Sequence, residues 1–135
     1  MLKYIIIFLL LTLSLLGFYP QRVVSEEIHI KVIEPTPPPD IKVYAKQQVV
    51  DRWGEAEWGA FNAIVMKESK WIHTAQNPHS SAYGIGQFLN STWATVGCQK
   101  TDDKYKQVDC AIEYIKVRYK TPTKALNFHK GNNYY

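Results

Sequence analysis

The chain has 135 residues, which is enough for one compact domain with attached segments but short for two domains. A hydrophobic content of 46% and an aromatic content of 13% exclude a chain that is disordered throughout, because such chains contain few aromatic residues. The net charge of +4 suits an anionic partner such as nucleic acid, acidic lipid or a charged polymer. The charge does not distinguish among these partners, and it is equally consistent with an ordinary soluble surface.

The first twenty residues differ sharply from the rest. One basic residue, Lys3, precedes Tyr4 to Tyr19, a run that carries no charge and is rich in Ile, Leu and Phe. Such a run is typical of a secretory signal or a short membrane anchor, and no small-residue cleavage site follows it. We therefore predict an N-terminal hydrophobic helix in residues 1–20, export to the cell envelope or beyond, and membrane association if the segment is retained.

Residues 21–50 predict a different kind of segment. The sequence from Glu34 to Asp40 contains four prolines, which disfavour helix interiors and central strands and favour the extended polyproline II conformation. We interpret residues 21–50 as a Pro-rich stalk. The compact domain is then expected to occupy residues 51–135.

The pattern of this domain is mainly helical. The strongest helix prediction covers residues 55–69, where apolar residues recur at spacings of three and four: Trp58, Phe61, Ile64 and Val65. Three further helices are predicted from their capping and stop residues: one begun by Asn90-Ser91-Thr92 and ended by Gly97, one from Asp102 or Asp103 to Tyr119, and one from Thr121-Pro122 to Gly131. Between the first two, residues 77–86 predict a loop or short hairpin.

Cys98 and Cys110 are the only two cysteines, and both lie in the predicted domain. An even pair in an exported chain predicts a disulfide bond. The alternative of a cysteine nucleophile lacks a recognisable peptidase context. The spacing of the histidines matches no zinc motif, so we expect neither a metal nor another cofactor.

Glu68 is an acid within an apolar pattern. Projected at about 100° per residue, it falls about 20° from Phe61, inside the apolar stripe of the first predicted helix. Burying an ionised carboxylate is costly, so three explanations remain open. Glu68 pairs with a cation, or it lies where the core opens into a cleft and has the raised pKa of a general acid, or the helix ends earlier and leaves it exposed.

The segment after Glu68 is rich in residues that suit carbohydrate binding. Gly84 and Gly86 would let the backbone approach a ligand closely, and Gln87 offers both a donor and an acceptor to sugar hydroxyls. Three aromatic residues could supply flat apolar faces for sugar rings: Trp71, Tyr83 and Trp93. For the two tryptophans the alternative is a place in the core, which is the more common role of such residues.

The ordered set of these motifs resembles the lysozyme-like domain of soluble lytic transglycosylases. The likeness covers residues 51–135 and is carried by Glu68-Ser69-x-Trp71, Asn77-Pro78, Ala82-Tyr83-Gly84-Ile85-Gly86-Gln87-Phe88-Leu89, Thr92-Trp93 and Tyr114-Ile115-x-x-Arg118-Tyr119. The resemblance implies a mainly α domain (the α+β lysozyme-like fold) with a short loop or hairpin beside the cleft. It also implies cleavage of the β-1,4 bond between MurNAc and GlcNAc in peptidoglycan.

The resemblance implies that Glu68 is the catalytic acid and base. It would protonate the glycosidic oxygen and then deprotonate the C6 hydroxyl of the same MurNAc, giving a 1,6-anhydro product. Most glycosidases use two carboxylates, but an internal hydroxyl removes the need for a second one to position water. The domain's other late acids fit a solvated surface: Asp102, Asp103, Asp109 and Glu113.

Further residues near Glu68 are candidates for binding the substrate. Gln87 matches a substrate-contacting glutamine, and Ser69 follows the acid as the motif expects. Trp71 is added as a substrate-binding residue because of its flat apolar face. Tyr83 and Tyr114 are candidates for orienting the acid or lining the cleft. Many members have a tyrosine where this chain has Phe128, so steadying of the acid falls to Tyr114 or Tyr119, or the role is absent.

Three functional hypotheses follow from the sequence. They are a lytic transglycosylase, a hydrolase of the same glycan bond, and a catalytically silent wall-binding module. The expected partner is the peptidoglycan strand, and the positive charge would favour contact with anionic wall polymers. A nucleic-acid partner is not expected, because the basic residues are scattered and the chain is predicted to be exported. We expect a monomer.

Overall fold

The computed structural model of the protein describes residues 38–135. The predicted signal or anchor in residues 1–20 lies outside the described residues, as do residues 21–37 of the predicted stalk. Among residues 38–135, no helix combines the length and the hydrophobicity needed to cross a membrane.

The described part of the chain is built from five α-helices and one 3-10 turn. In chain order these are α1 (Ile41–Trp53), the 3-10 turn (Glu55–Glu57), α2 (Trp58–Glu68), α3 (Asn90–Thr95), α4 (Lys104–Arg118) and α5 (Pro122–Asn132). Within residues 38–135, β-pairing is limited to two isolated antiparallel bridges in the loop between α2 and α3, Gln76–Tyr83 and Tyr83–Phe88. The prediction of a mainly α domain is therefore confirmed for these residues.

Helix α1 begins ten residues before the predicted domain boundary at Asp51. The Asp40 side chain caps α1 by accepting a hydrogen bond from the backbone N–H of Lys42 at 2.8 Å. Ala45 and Val49 are fully buried. Residues 41–50 therefore belong to the packed domain and not to a stalk, because this helix contributes side chains to the core.

Two other helix starts agree with the capping residues in the sequence. Asp103 caps α4 by accepting from the backbone N–H of Tyr105 at 3.0 Å. Thr121 caps α5 by accepting from the backbone N–H of Lys124 at 3.4 Å, with Pro122 at the first helical position. Both patterns satisfy backbone donors that the first turn of a helix leaves free.

Two predicted helix signals are wrong in detail. The N-cap position of α3 is Leu89, whose apolar side chain cannot cap the helix, and the backbone N–H of Asn90 donates to the Ser81 hydroxyl at 3.2 Å. Helix α5 runs through Gly131 and ends at Asn132. Asn133 supplies the left-handed residue that follows, with φ of 60°, a conformation that asparagine tolerates better than most residues.

The core is formed where α1, α2, α4 and α5 meet, with α2 packed mainly against α5 and α1 against α4. Fully buried apolar residues come from each of these helices and from the loop: Ala45, Val49, Phe61, Ile64, Val65, Ile85, Val108, Ala111, Ile115 and Ala125. The predicted disulfide between Cys98 and Cys110 is present and ties the segment after α3 to α4. This core holds the end of α2 against α5 and against the loop.

Candidate active site

Glu68 is the last residue of α2 and lies at the edge of a cleft. Its side chain is 17% exposed, so the explanation in which it projects into solvent is wrong. The cleft has a volume of about 280 Å³. Its lining comes from α2, the following loop, α3, α4 and the end of the chain: Glu68, Gly86, Gln87, Phe88, Leu89, Thr92, Tyr114, Arg118, Tyr134 and Tyr135. Glu68 is the one carboxylate side chain in this lining.

The surroundings of Glu68 favour its protonated form. Burial raises the pKa of the Glu68 carboxyl above its ordinary value. The hydrogen bond to His129 and the nearby charges of His129 and Lys67 lower that pKa, but the effect of burial is larger. A carboxyl with a raised pKa keeps its proton closer to neutral pH, as a general acid must.

His129 is the direct partner of Glu68, and the sequence analysis did not identify it. Its Nε2 lies 2.9 Å from Oε1 of Glu68, across 61 positions of the chain. Nδ1 of His129 is buried and has no partner within residues 38–135. A proton on Nε2 lets the ring donate to Glu68 and leaves only a lone pair unmatched, whereas a proton on Nδ1 would leave a buried donor unsatisfied.

A periodicity signal for His129 was present in the sequence. Pro122, Ala125 and His129 follow the helical spacing of three and four, and all three are buried on the same face of α5. A polar residue on such a face needs a partner. The sequence alone does not show that this partner is Glu68, because the contact depends on how α5 packs on α2.

Ser69 holds the loop but does not reach the cleft. It is buried, and its hydroxyl lies 2.9 Å from the backbone carbonyl of Ile85, to which it donates. Ser69 is also absent from the cleft lining. The predicted role as a substrate contact is therefore replaced by a positioning role, which fixes the loop to the end of α2.

Trp71 is a core residue, so its predicted contact with a sugar is wrong. Lys70 and Trp71 have positive φ angles of 53° and 66°, and the resulting reversal turns the chain back against α2. The indole of Trp71 is buried, and its N–H donates to Oδ1 of Asn62 at 2.9 Å. The exposed apolar side chains at the cleft are instead Leu89 and Tyr134, which are 44% and 55% exposed.

Gln87 lies at the cleft, as predicted. Its Nε2 donates to the backbone carbonyls of Ala75 at 3.0 Å and Gly84 at 2.9 Å. Both amide protons are therefore used within the loop. The amide oxygen has no protein hydrogen-bond partner within residues 38–135, which leaves it as an acceptor for a ligand hydroxyl or amide.

The glycines of the loop make room for protein side chains. This corrects the role in approaching a ligand that is predicted for Gly84, which is absent from the cleft lining, whereas Gly86 does line the cleft. A Cβ at Gly84, where φ is +79°, would lie 2.6 Å from Oε1 of Gln107. A Cβ at Gly86 would lie 3.0 Å from both the Phe88 ring and the Tyr135 hydroxyl. Glycine is required at Gly84 both by this contact and by its left-handed backbone.

Gln107 is the buried residue that holds this loop from the side of α4. Its Oε1 accepts from the backbone N–H of Ile85 at 2.8 Å. Its Nε2 donates to the carbonyls of His73 at 2.9 Å and Thr101 at 2.7 Å. One side chain thus joins three separate loop positions, and it fixes the stretch that leads into Gln87.

The two tyrosines predicted at the site lie in different places. The Tyr83 hydroxyl donates to Asp102, and Tyr83 is not in the cleft lining. Tyr114 does line the cleft and is buried, but its hydroxyl donates to the main-chain oxygen of Tyr135 at 3.0 Å. Neither Tyr114 nor Tyr119 forms a hydrogen bond with Glu68, so His129 occupies the steadying position considered for these two residues.

The cleft thus combines one largely buried acid, a glutamine oxygen and exposed apolar surface, and a histidine outside the cleft lining contacts the acid. No family model, curated protein or solved structure matches this chain. What the cleft does must therefore be inferred from its own residues and their geometry.

Proposed function

We propose that the protein is a peptidoglycan lytic transglycosylase in which Glu68 is the catalytic acid and base. The observation that carries this proposal is the position of Glu68, which is the one carboxylate side chain in the cleft lining, in surroundings that raise its pKa. The likeness of the ordered sequence motifs around Glu68 and Gln87 to soluble lytic transglycosylases supports the same reaction and the lysozyme-like fold.

The reaction needs only one carboxyl group on the protein. Protonated Glu68 gives its proton to the oxygen of the MurNAc–GlcNAc β-1,4 bond, and the bond from that oxygen to C1 of MurNAc breaks. The resulting Glu68 carboxylate takes the proton of the MurNAc C6 hydroxyl, whose oxygen bonds to C1. The product ends in a 1,6-anhydro ring, and Glu68 is again protonated.

His129 stabilises the Glu68 carboxylate, which forms in the first step and acts as the base in the second. A proton on its Nε2 hydrogen-bonds to the Glu68 carboxylate, which stabilises the charged form that the second step uses. Burial favours the neutral form that the first step uses. The opposing effects keep both protonation states accessible, which a residue acting in turn as acid and base requires.

The lining of the cleft suits a carbohydrate. Tyr134 and Leu89 offer apolar surface to a sugar ring, and the Gln87 oxygen accepts from a hydroxyl or acetamido N–H. The chain's net charge of +4 favours approach to the anionic polymers of a cell wall, in a manner that salt weakens. Export of the chain, with attachment to a membrane if residues 1–20 are retained, would bring the domain to this substrate.

A digestion experiment with full-length protein tests the proposal. Wild-type protein should release soluble muropeptides from purified peptidoglycan. Glu68→Gln should lower that rate by at least about 100-fold, because it removes the transferable proton. The amide oxygen of Gln still accepts from His129, so the fold should be retained.

The matched control is Glu55→Gln. Glu55 is an exposed acid paired with Lys46 at 2.7 Å and lies outside the cleft, so this variant should cleave at the wild-type rate. Full activity of Glu68→Gln would overturn the mechanism. Binding of peptidoglycan without cleavage by the wild type would indicate a silent wall-binding module, and products with reducing ends would indicate a hydrolase.

A further inference from the structure

Arg118, at the end of α4, is the one cationic side chain among the cleft-lining residues. Its Nη1 donates to the Tyr114 hydroxyl at 2.8 Å. The guanidinium carbon lies 5.7 Å, 5.4 Å and 5.9 Å from the ring centroids of Tyr114, Tyr119 and Phe128. A guanidinium placed over three rings and hydrogen-bonded at one nitrogen loses little further freedom when a ligand binds.

Arg118 forms no ion pair within residues 38–135. The ion pairs of this part of the chain use other residues: Lys46–Glu55, Arg52–Glu113, Lys106–Asp103, Lys116–Glu113 and His129–Glu68. The hydrogen bond to Tyr114 uses one of the five N–H donors of the guanidinium. The remaining donors match the geometry of a carboxylate, which arginine binds through two parallel hydrogen bonds.

We propose that Arg118 binds a carboxylate of the muramyl substituent, so that the cleft prefers carboxylate-bearing glycans to uncharged GlcNAc polymers. This inference rests on the proposed function, because it assigns part of the substrate to the same cleft. Two sources offer the same chemistry. One is the lactyl carboxylate of a MurNAc without a peptide, and the other is a carboxylate of the attached stem peptide.

Binding measured by calorimetry separates these cases. The parent protein is the full-length Glu68→Gln variant, which is expected to bind the glycan without cleaving it. Two double variants are compared with this parent, one that also carries Arg118→Gln and one that also carries Arg118→Lys. The ligands are a GlcNAc–MurNAc tetrasaccharide with free lactyl carboxylates, the same tetrasaccharide with stem peptides, and chitotetraose, which has no charge. Lys124→Gln is the matched control, because Lys124 is exposed, lies outside the cleft and undergoes the same charge change.

Arg118→Gln should raise the Kd of a carboxylate-bearing glycan about tenfold, and that of chitotetraose less than about twofold. Arg118→Lys should show a smaller loss of affinity for the carboxylate-bearing glycans, because it keeps the charge but cannot form two parallel hydrogen bonds. Lys124→Gln should bind all three glycans with the affinity of the parent. A loss with the peptide-free glycan identifies the lactyl carboxylate, and a loss confined to the peptide-bearing glycan identifies the stem.

Two outcomes would overturn the role of Arg118. One is an equal loss for all three ligands, which would show that Arg118 acts only by supporting Tyr114. The other is no loss for either charged glycan. An unfolding midpoint measured for each variant identifies any general loss of fold. If the parent protein binds none of the three glycans, both this inference and the proposed function fail. If the parent binds chitotetraose as tightly as the two charged glycans, only this inference is refuted.

Discussion

Replacing Gln107 with Leu would test how the loop beside Glu68 is held in place. The substitution keeps similar volume but removes the acceptor for the Ile85 N–H and the donor to the His73 and Thr101 carbonyls. A buried polar group left without a partner costs about 1–3 kcal/mol. The Ile85 contact is buried and the two carbonyl contacts are only partly buried, so we expect a total loss of about 3 kcal/mol.

Thermal unfolding followed by circular dichroism measures this loss. For a domain of this size, about 1 kcal/mol shifts Tm by roughly 4–8 °C, so Gln107→Leu should lower Tm by roughly 12–24 °C. Gln99→Leu is the matched control, because Gln99 is exposed and should change stability by less than about 0.5 kcal/mol. A Tm for Gln107→Leu within about 4 °C of wild type would refute the claim that this side chain holds the loop.

Three further predictions concern the acid, its partner and the disulfide. Because burial raises the folded-state pKa of Glu68, the stability linked to this group is greatest below the ordinary carboxyl pKa and is lost as the pH rises through the folded-state pKa. Glu68→Gln should therefore be more stable than wild type at neutral pH, by about 1 kcal/mol, with a difference that shrinks in acid; a lower midpoint at neutral pH would contradict this. His129→Phe removes a contact that lowers the Glu68 pKa, so the alkaline loss of kcat/KM should move to higher pH, whereas His129→Gln, which keeps an N–H donor, should stay near wild type. An alkaline limb that does not move in the Phe variant would show that the contact has no such effect. Reduction of the Cys98–Cys110 bond, which spans 12 positions, should destabilise the fold by about 3 kcal/mol, and an unchanged unfolding midpoint under reducing conditions would count against it.

Local sequence patterns predict much of this fold. Helix α2 follows from its apolar spacing, and α4 and α5 follow from the capping residues Asp103 and Thr121. The same periodicity places Glu68 on the apolar stripe, which is where the structure has it. These features depend on residues a few positions apart, so a single sequence contains the necessary information.

Local sequence patterns do not predict helix α1, because its sequence resembles a continuation of the stalk. Three prolines precede Asp40, and only two side chains of the helix, Ala45 and Val49, are buried. Its stability comes from packing on the rest of the domain, including a hydrogen bond from the Trp53 indole to the Lys120 carbonyl at 2.8 Å. A helix stabilised mainly by tertiary contacts shows only a weak local signal.

The errors at the site concern contacts between distant parts of the chain. The sequence predicts Trp71 at the cleft, because nothing in it signals the positive φ angles that direct this side chain into the core. It predicts Gly84 at a ligand, because the side chain that fills the space beside this glycine, Gln107, lies on another helix. His129 reaches Glu68, and Arg118 reaches the cleft, through the packing of α5 and α4, which no local pattern specifies.

The mass of the glycan ends released from peptidoglycan tests the central claim most directly. With wild-type protein, mass spectrometry should find muropeptides one water lighter than those with a reducing MurNAc end, because the C6 hydroxyl and not water attacks C1. These species should be absent with Glu68→Gln. Release of only reducing ends by the wild type, or the same anhydro products from Glu68→Gln, would contradict the account.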